Sequence, residues 1–185
     1  RNVMKTRDNE FINLKDKTVM VLGGGDTAMD CNRTALRQGA KKVFCAYRRD
    51  EYNMPGSKRE VKNSKEEGID FLWNMQPVEI LGDEKVTGVK FMKTKLKKTD
   101  IRGREVPVIV PGSEKIIKCD TVILAFGFRP NPQTWFEKNK IKTDEIGRVK
   151  INSDSKYSHQ TNNPKIFSGG DMVRGSDLVV TAVFE

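Results

Sequence analysis

The glycine-rich segment at residues 19–30, with the sequence VMVLGGGDTAMD, constrains the fold of this chain more than any other. Its run of Val, Met and Leu is typical of a buried parallel strand, and Thr27 stands where a helix is expected to begin. The spacing Gly23-x-Gly25-x-x-Ala28 matches the fingerprint of dinucleotide-binding folds. In that fingerprint the first glycine allows a tight turn, the second lets a pyrophosphate approach the backbone, and a small third residue lets the helix pack on the strand.

The motif alone leaves two interpretations open. The unpaired N–H groups and partial positive charge of a helix start would suit the phosphates of a dinucleotide. A glycine-rich connection between a strand and a helix is also often only a turn, so the next segment of the chain has to decide.

Two arginines follow the next predicted strand. After a helix at 27–37, residues 42–49 read as a strand that ends in Arg48-Arg49. In NAD-binding units an acidic residue about 20 positions after the glycines accepts hydrogen bonds from the ribose. A carboxylate would repel a 2′-phosphate, whereas a guanidinium binds it with paired, charge-assisted hydrogen bonds, so this pair favours NADPH over NADH. The alternative is a solvated Arg-Arg pair at a strand end.

The composition indicates a globular chain. With 36% hydrophobic and 32% charged residues among 185, the chain can bury one good-sized core or two small ones. No apolar run approaches the roughly 20 residues of a membrane span, and no signal peptide opens the chain, so we expect a cytoplasmic protein with no membrane partner. Three widely spaced cysteines indicate buried thiols rather than disulfides, a redox pair or metal ligands.

The net charge of +9 invites a nucleic-acid interpretation. Much of the excess surrounds a predicted turn at Gly103, in Lys90, Lys93, Lys95, Lys97, Lys98, Arg102 and Arg104. This segment lacks the interleaved aromatic residues that stack on bases. We therefore interpret it as the solvated face of an exposed hairpin and predict no nucleic-acid partner; a polyanion site and an acidic protein partner are the alternatives.

The remaining pattern predicts an α/β fold. Ser57 and Glu60 form a capping-box pattern before a helix to about Glu67, and residues 69–73 read as a third parallel strand. Short strands at 78–81, 85–96 and 105–110 without helices between them indicate an antiparallel meander inserted in the parallel sheet, which resumes in an apolar strand within residues 118–130. A short helix at 135–136 and a strand at 148–151 are expected next.

A second strand, glycine turn and helix start is predicted at residues 164–182. A carboxylate at Asp171 beside Gly170 can bind a sugar hydroxyl. If Asp177 caps the following helix, the N–H groups of Leu178 and Val179 would point at an electron-rich ligand edge. An ordinary capped helix explains the same residues.

Four sequence blocks together resemble the small (β) subunit family of NADPH-dependent glutamate synthases, along essentially the whole chain. They are GGGDTAMD at 23–30, YRRDE at 47–51 with NMPGS at 53–57, AFGFRP at 125–130, and GGDMVRGSDLVVTA at 169–182. Single blocks are shared with related flavoproteins such as the NADPH-binding part of dihydropyrimidine dehydrogenase.

The resemblance implies a Rossmann-like NADPH-binding domain inserted into an FAD-binding domain. Residues 1–16 would then be a connector from the FAD domain, 17–126 the NADPH-binding domain, and 127–185 a partial C-terminal segment of the FAD domain. Cofactor-binding residues implied in this way are Gly23, Gly24, Gly25, Asp26 and Thr27 for the pyrophosphate, Arg48 and Arg49 for the 2′-phosphate, Ala125, Phe126 and Gly127 for the nicotinamide, and Gly170, Asp171, Leu178 and Val179 for FAD.

The implied chemistry is hydride transfer from NADPH to FAD, with electrons passing to iron–sulfur centres for glutamate synthesis. The cofactors carry the bond-making, so no catalytic side chain is assigned, and the single histidine, His159, is given no role. The family's N-terminal FAD fingerprint and its cysteine-rich region have no counterpart here. The resemblance therefore implies a fragment with an incomplete FAD site, whose partners are the missing N-terminal region and a large glutamine-amidotransferase subunit. A paralogous NADPH:acceptor subunit and a non-catalytic nucleotide-binding module are the alternatives.

Overall fold

Four parallel strands in the order β3-β2-β1-β8 form the sheet that carries the glycine-rich segment. The structure is a computed structural model and describes residues 12–98 and 105–185. Its elements are β1 Thr18–Leu22, α1 Asp26–Arg37, β2 Lys42–Tyr47, α2 Lys58–Glu66, β3 Asp70–Trp73, β4 Met75–Leu81, β5 Gly88–Lys98, β6 Glu105–Ile109, β7 Lys115–Lys118, β8 Thr121–Leu124, α3 Trp135–Lys138, α4 Asp171–Arg174 and α5 Val179–Phe184. The chain divides into two compact units, the first ending at Gly127 and the second covering Phe128–Glu185.

Alternation along β1 gives the parallel sheet two buried faces. Val19 and Val21 point to one face, where they join a core with residues of α1 and α2. Met20 and Leu22 point to the other face and pack with Val89 and other residues of the antiparallel strands. Because helices cover one face and the antiparallel sheet covers the other, the expected parallel sheet with an inserted meander is confirmed.

Strand β5 pairs with each of the other three strands of the antiparallel insertion. Its first half pairs with β4 on one side and β7 on the other, and its second half, from Thr94 to Lys98, pairs with β6. The predicted turn around Gly103 lies outside the described residues, as do most of the expected connector and the side chains of Lys98, Arg102 and Arg104. Of the described lysines in this segment, Lys93, Lys95 and Lys97 are exposed, as predicted for a solvated hairpin, whereas Lys90 is half-buried and pairs with Glu79.

Several predicted strands differ from the structure, beginning with β4 and β5, which cover Met75–Leu81 and Gly88–Lys98 instead of 78–81 and 85–96. Strand β2 ends at Tyr47, so Arg48 and Arg49 follow the strand instead of ending it. The strand expected within 118–130 is shortened to β8, because Lys118 belongs to the antiparallel strand β7 and Asp120 interrupts the run, its carboxylate accepting the Thr18 N–H at 2.7 Å. The strand expected at 148–151 is only a pair of isolated bridges, to Thr143 and Thr161.

The second unit has a small core of its own. Phe136, Ile141 and Val149 are buried together, and Phe136 lies in the expected short helix, α3. Asp144 organises the turn before Val149, since its carboxylate accepts the amides of Ile146 and Arg148 at 3.0 and 2.8 Å and the Arg148 Nε at 2.8 Å.

Candidate functional site

The carboxyl ends of three neighbouring parallel strands meet at one edge of the first sheet. Strand β1 pairs in parallel with β2 and with β8, so Leu22 lies beside Ala46 on one side and Leu124 on the other. The residues that follow these strands therefore share the edge where open α/β sheets bind their ligands. This edge gathers the predicted glycine turn, the arginine pair and Ala125.

Gly23 and Gly24 have no room for a side chain. The φ angle of Gly23 is +151°, and a Cβ on it would lie 2.2 Å from the carbonyl oxygen of Ala125. A Cβ on Gly24 would lie 2.4 Å from the ring of Tyr47. The tight turn predicted from the sequence is therefore enforced by close contact with both neighbouring strand ends.

Gly25 and the first residues of α1 present open backbone. A Cβ on Gly25 would meet nothing within 4 Å, and Asp26 and Thr27 are exposed. The first amides to find carbonyl partners are those of Ala28 and Met29, both to Gly25, which leaves the amides of Asp26 and Thr27 at the positive end of the helix. Space, amides and dipole fit a pyrophosphate at this point.

The arginine segment is held by its backbone while its guanidinium groups stay available. The Thr94 hydroxyl donates to the Arg48 carbonyl at 2.8 Å, and the Asn74 amide donates to the Arg49 carbonyl at 2.9 Å. Arg48 is exposed, and the buried Nε of Arg49 has no hydrogen-bond partner in the described part of the chain. Two guanidinium groups on an anchored backbone, one with an N–H that lacks an acceptor, are suited to bind a phosphate.

Tyr47 supports both parts of the site. Its ring lies under Gly24, and its hydroxyl donates to the carbonyl of Asn53 at 3.1 Å. Burial raises the pKa of Tyr47, against the opposing effect of the Arg49 and Arg48 charges. The phenol therefore stays neutral at physiological pH and remains a hydrogen-bond donor.

The loop at residues 50–57 touches the glycine turn, a contact that sequence reasoning missed. The Gly56 amide donates to the Gly24 carbonyl at 2.9 Å, and the Ser57 amide donates to the Asp26 carboxylate at 2.8 Å. The Asn53 side chain donates to Asp50 and to Glu105. A pocket of about 420 Å³ opens beside this loop, lined by Glu51, Tyr52, Met54, Gly56, Lys58 and Val61. The only sequence signal was the NMPGS block, to which the resemblance attached no role.

The residues implied for the nicotinamide lie at the end of β8. The Ala125 amide continues the parallel pairing by donating to Leu22 at 2.8 Å, and Ala125 is buried. Phe126 is 66% exposed, and Gly127 has a φ of +81°. The first unit thus brings together all ten residues assigned to NADPH along one sheet edge.

The residues implied for FAD lie in the second unit. Gly170 has a φ of +60°, and a Cβ on it would lie 3.0 Å from the Ala182 side chain, so glycine is required. The Gly170 amide donates to the Glu185 carboxylate, and the exposed Asp171 accepts the Asp177 amide at 3.2 Å. A cavity of about 380 Å³ lies beside them, lined by His159, Phe167, Ser168, Gly169, Gly170, Ala182 and Glu185.

The expected cap of α5 is wrong. Leu178, not Asp177, is the N-cap residue, and no side chain caps the helix. The Leu178 amide and, more weakly, the Arg174 guanidinium hold the pKa of Asp177 below its ordinary value. Leu178 and Val179 lie at the helix start as expected and are 66% and 78% exposed.

The three cysteines are free thiols. Burial raises the pKa of Cys45 and Cys119 to about 11, and burial together with Asp30 raises that of Cys31. In residues 12–98 and 105–185, no three His, Cys, Asp or Glu side chains form a group that could hold a metal ion. Within the same ranges, no helix combines the length and the apolar character needed to cross a membrane.

A model of the pyridine nucleotide-disulphide oxidoreductase family matches residues 1–185, so the chain belongs to this family. Glutamate synthase [NADPH] small chain of Halomonas elongata is 58% identical over 98% of this chain and 38% of its own length. The resemblance drawn from the four sequence blocks is thereby confirmed. Putative oxidoreductase AegA of Escherichia coli (strain K12) is 54% identical over 96% of this chain and 27% of its own length. This chain thus spans well under half the length of these relatives.

The fold matches that of solved oxidoreductases. Thioredoxin reductase of T. acidophilum superposes with a TM-score of 0.69 at 28% identity, covering 92% of this chain and 49% of its own. This likeness confirms the α/β fold of an FAD/NAD(P) oxidoreductase.

Proposed function

We propose that this chain binds NADPH and orients it for hydride transfer to a flavin, as part of a flavoprotein of the glutamate synthase small-chain type. One observation carries the proposal: open backbone at Gly25 and the two anchored arginines, Arg48 and Arg49, follow neighbouring parallel strands at one sheet edge. NADPH carries its pyrophosphate on the 5′ oxygen and its additional phosphate on the 2′ oxygen of the adenosine ribose, and this edge offers a site for each.

The chain's own residues bind and orient. The α1 start would hold the pyrophosphate, Arg48 and Arg49 would select the 2′-phosphate, and Ala125, Phe126 and Gly127 would border the nicotinamide. NADPH supplies the hydride and FAD accepts it, so the protein contributes position and electrostatics. On this proposal residues 17–126 form the NADPH-binding domain.

In the second unit, Gly170, Asp171, Leu178 and Val179 would contact FAD. The φ of +60° and the close packing of Gly170 against Ala182 support a fixed turn geometry there, and the helix start at Leu178 would favour negative charge on a reduced flavin. The Gly170 amide donates to the Glu185 carboxylate. We assign residues 127–185 to part of an FAD-binding domain.

The similarity to a glutamate synthase small chain supports a longer cytoplasmic protein whose electrons leave through iron–sulfur centres to a large synthase subunit. The comparable identity to a putative oxidoreductase favours a second candidate, an NADPH-oxidising subunit that serves another acceptor. Reduction of a glutamate synthase large subunit by the complete protein and NADPH would favour the first and exclude the second.

Calorimetric titration with NADPH and with NADH tests the proposal. We expect a clear preference for NADPH that disappears in the double variant R48A/R49A. The variant K115A/K118A removes the same charge from exposed positions of β7 and should keep the preference. A folded chain that binds neither nucleotide, or that prefers NADPH equally without the two arginines, would contradict it.

A further inference from the structure

Two hydrogen bonds join the glycine turn to the loop at residues 50–57. The Ser57 amide donates to the Asp26 carboxylate at 2.8 Å, and the Gly56 amide donates to the Gly24 carbonyl at 2.9 Å. Gly56 is buried in this contact, where a Cβ would lie 3.1 Å from the Gly24 carbonyl oxygen. We call the pair of bonds the loop latch.

We propose that Asp26 is a positioning residue that fixes the arginine segment relative to the glycine turn through the loop latch, and so sets the affinity for a coenzyme with two phosphate groups. The inference rests on the proposed NADPH site. It assigns Asp26 a role other than direct contact with the pyrophosphate.

Charge explains why Asp26 acts through the loop. A carboxylate beside a pyrophosphate would repel it, and Asp26 stands in the first turn of α1, where the phosphates are expected. Accepting the Ser57 amide turns the side chain toward the loop, and an amide donating to a carboxylate makes a charge-assisted bond. The α1 start thereby keeps its backbone donors for the ligand.

The loop is fixed at its other end to the arginine segment. The hydroxyl of Tyr47, the residue directly before Arg48, donates to the Asn53 carbonyl. The Arg48 carbonyl in turn accepts the Thr94 hydroxyl. The stretch from Arg48 to Ser57 is thus anchored at both ends. Releasing the Asp26 end would leave the Gly56–Gly24 bond alone to hold this side of the loop, so the separation of the two phosphate sites could vary more, and a ligand that spans both would have to restore it.

Separate contacts hold the helices when the latch is broken. Arg33 of α1 pairs with Glu60 and, at 2.7 Å, with Glu67 beside α2, and the Ser57 hydroxyl caps α2 through the Glu60 amide at 3.2 Å. Loss of the latch should therefore alter the loop without unfolding the unit.

Matched variants isolate the latch on each side. Asp26→Ala removes the acceptor, whereas Asp26→Asn keeps an amide oxygen that accepts the same bond. The φ of Ser57 is −59°, which proline adopts, so Ser57→Pro removes the donor without a backbone clash at that angle. Ser57→Ala keeps the donor and loses only the cap, so the difference between S57P and S57A reports the latch.

The test compares binding of NADPH with binding of adenosine 2′-monophosphate, which needs only the arginine segment. We expect D26A to weaken NADPH binding about tenfold and S57P to weaken it similarly relative to S57A, with adenosine 2′-monophosphate unchanged. D26N should stay within roughly threefold of wild type, since a neutral acceptor is weaker but present. The double variant D26A/S57P should bind NADPH no more weakly than D26A/S57A, which lacks the same cap.

The outcomes separate this inference from the proposed function. A wild-type chain that binds no NADPH overturns the proposed function. If the wild type binds NADPH and D26A binds it equally well, only the role of Asp26 is overturned. The same holds if D26A loses affinity for adenosine 2′-monophosphate to the same extent as for NADPH.

Discussion

The ring of Tyr47 lies directly against Gly24, in the space that any side chain at residue 24 would need. The adjacent Gly25 faces open space instead. Two neighbouring glycines in one turn therefore serve different purposes. Gly24 admits packing by the protein, and Gly25 leaves room for a ligand.

Alanine at each position should separate these purposes. We expect Gly24→Ala to lower the free energy of unfolding by about 1–3 kcal/mol, because the new Cβ collides with Tyr47. Gly25→Ala should cost less than about 1 kcal/mol, since its φ of −91° suits alanine, yet it should abolish most NADPH affinity. Urea unfolding and calorimetry measure the two effects. Equal loss of stability in both variants would contradict this division.

Asp144 should make the second unit sensitive to acid. The Arg148 amide, followed by the Arg148 side chain and the Ile146 amide, holds the pKa of Asp144 below its ordinary value. A depressed carboxyl pKa contributes stability above its unfolded value, about 3.9, and that stability is lost as the pH falls through the folded pKa. Fluorescence of Trp135 in a W73F background, followed during unfolding at pH 7 and pH 3, measures this.

The variant Asp144→Asn supplies the control. It should be less stable than wild type at pH 7 and should lose less stability on acidification, because it cannot be protonated. An unchanged pH profile in this variant would show that other carboxyl groups account for the acid sensitivity.

The side chain of Asn32 is an unsatisfied polar group in the first core. It is 0% exposed, and neither its amide nitrogen nor its oxygen makes a well-formed hydrogen bond to a described residue; its side chain lies beside the Cys45 thiol, whose pKa it lowers against the larger effect of burial. We expect Asn32→Leu to raise the free energy of unfolding by about 1 kcal/mol, since it removes a buried unpaired amide and suits α1 better. Asn32→Asp should lower it by burying a charge. A destabilised N32L would contradict the expectation.

The cysteines should react slowly while the chain is folded. With pKa values of about 11, Cys45 and Cys119 are almost entirely protonated at pH 7.5. We expect a disulfide reagent to label half-buried Cys31 first and all three thiols only after unfolding. Because unfolded thiols ionise near pH 8.5, their contribution to stability should be present below that value and lost as the pH rises toward 11. Rapid labelling of all three would contradict this.

Local patterns predicted much of the first unit. The apolar run before Gly23, the alternation of strands and helices and the Ser57 cap are short-range signals, and the structure has each of them. The dinucleotide spacing also predicted the open backbone at Gly25, because the room that a pyrophosphate needs depends on the residues of this one turn.

The misses have physical causes that single segments do not contain. Residues 148–151 alternate like a strand, but their partners, Thr143 and Thr161, lie in irregular segments, so no ladder forms. Lys118 stands beside an apolar run, yet it pairs with Gly88 in the antiparallel sheet. The two bonds of the loop latch join residues 24 and 26 to residues 56 and 57 across the fold, and no local propensity encodes such bonds.

Thr94, which donates to the Arg48 carbonyl, lies in β5 of the antiparallel insertion. Asn74, which donates to the Arg49 carbonyl, lies between β3 and β4, where the insertion begins. A shortened domain in which β3 was joined directly to β8 would keep every strand of the parallel sheet and lose both of these hydrogen bonds. On the proposed assignment, the insertion therefore supports the two residues that would select the coenzyme. A chain without the insertion would then be expected to bind a dinucleotide without preferring NADPH to NADH.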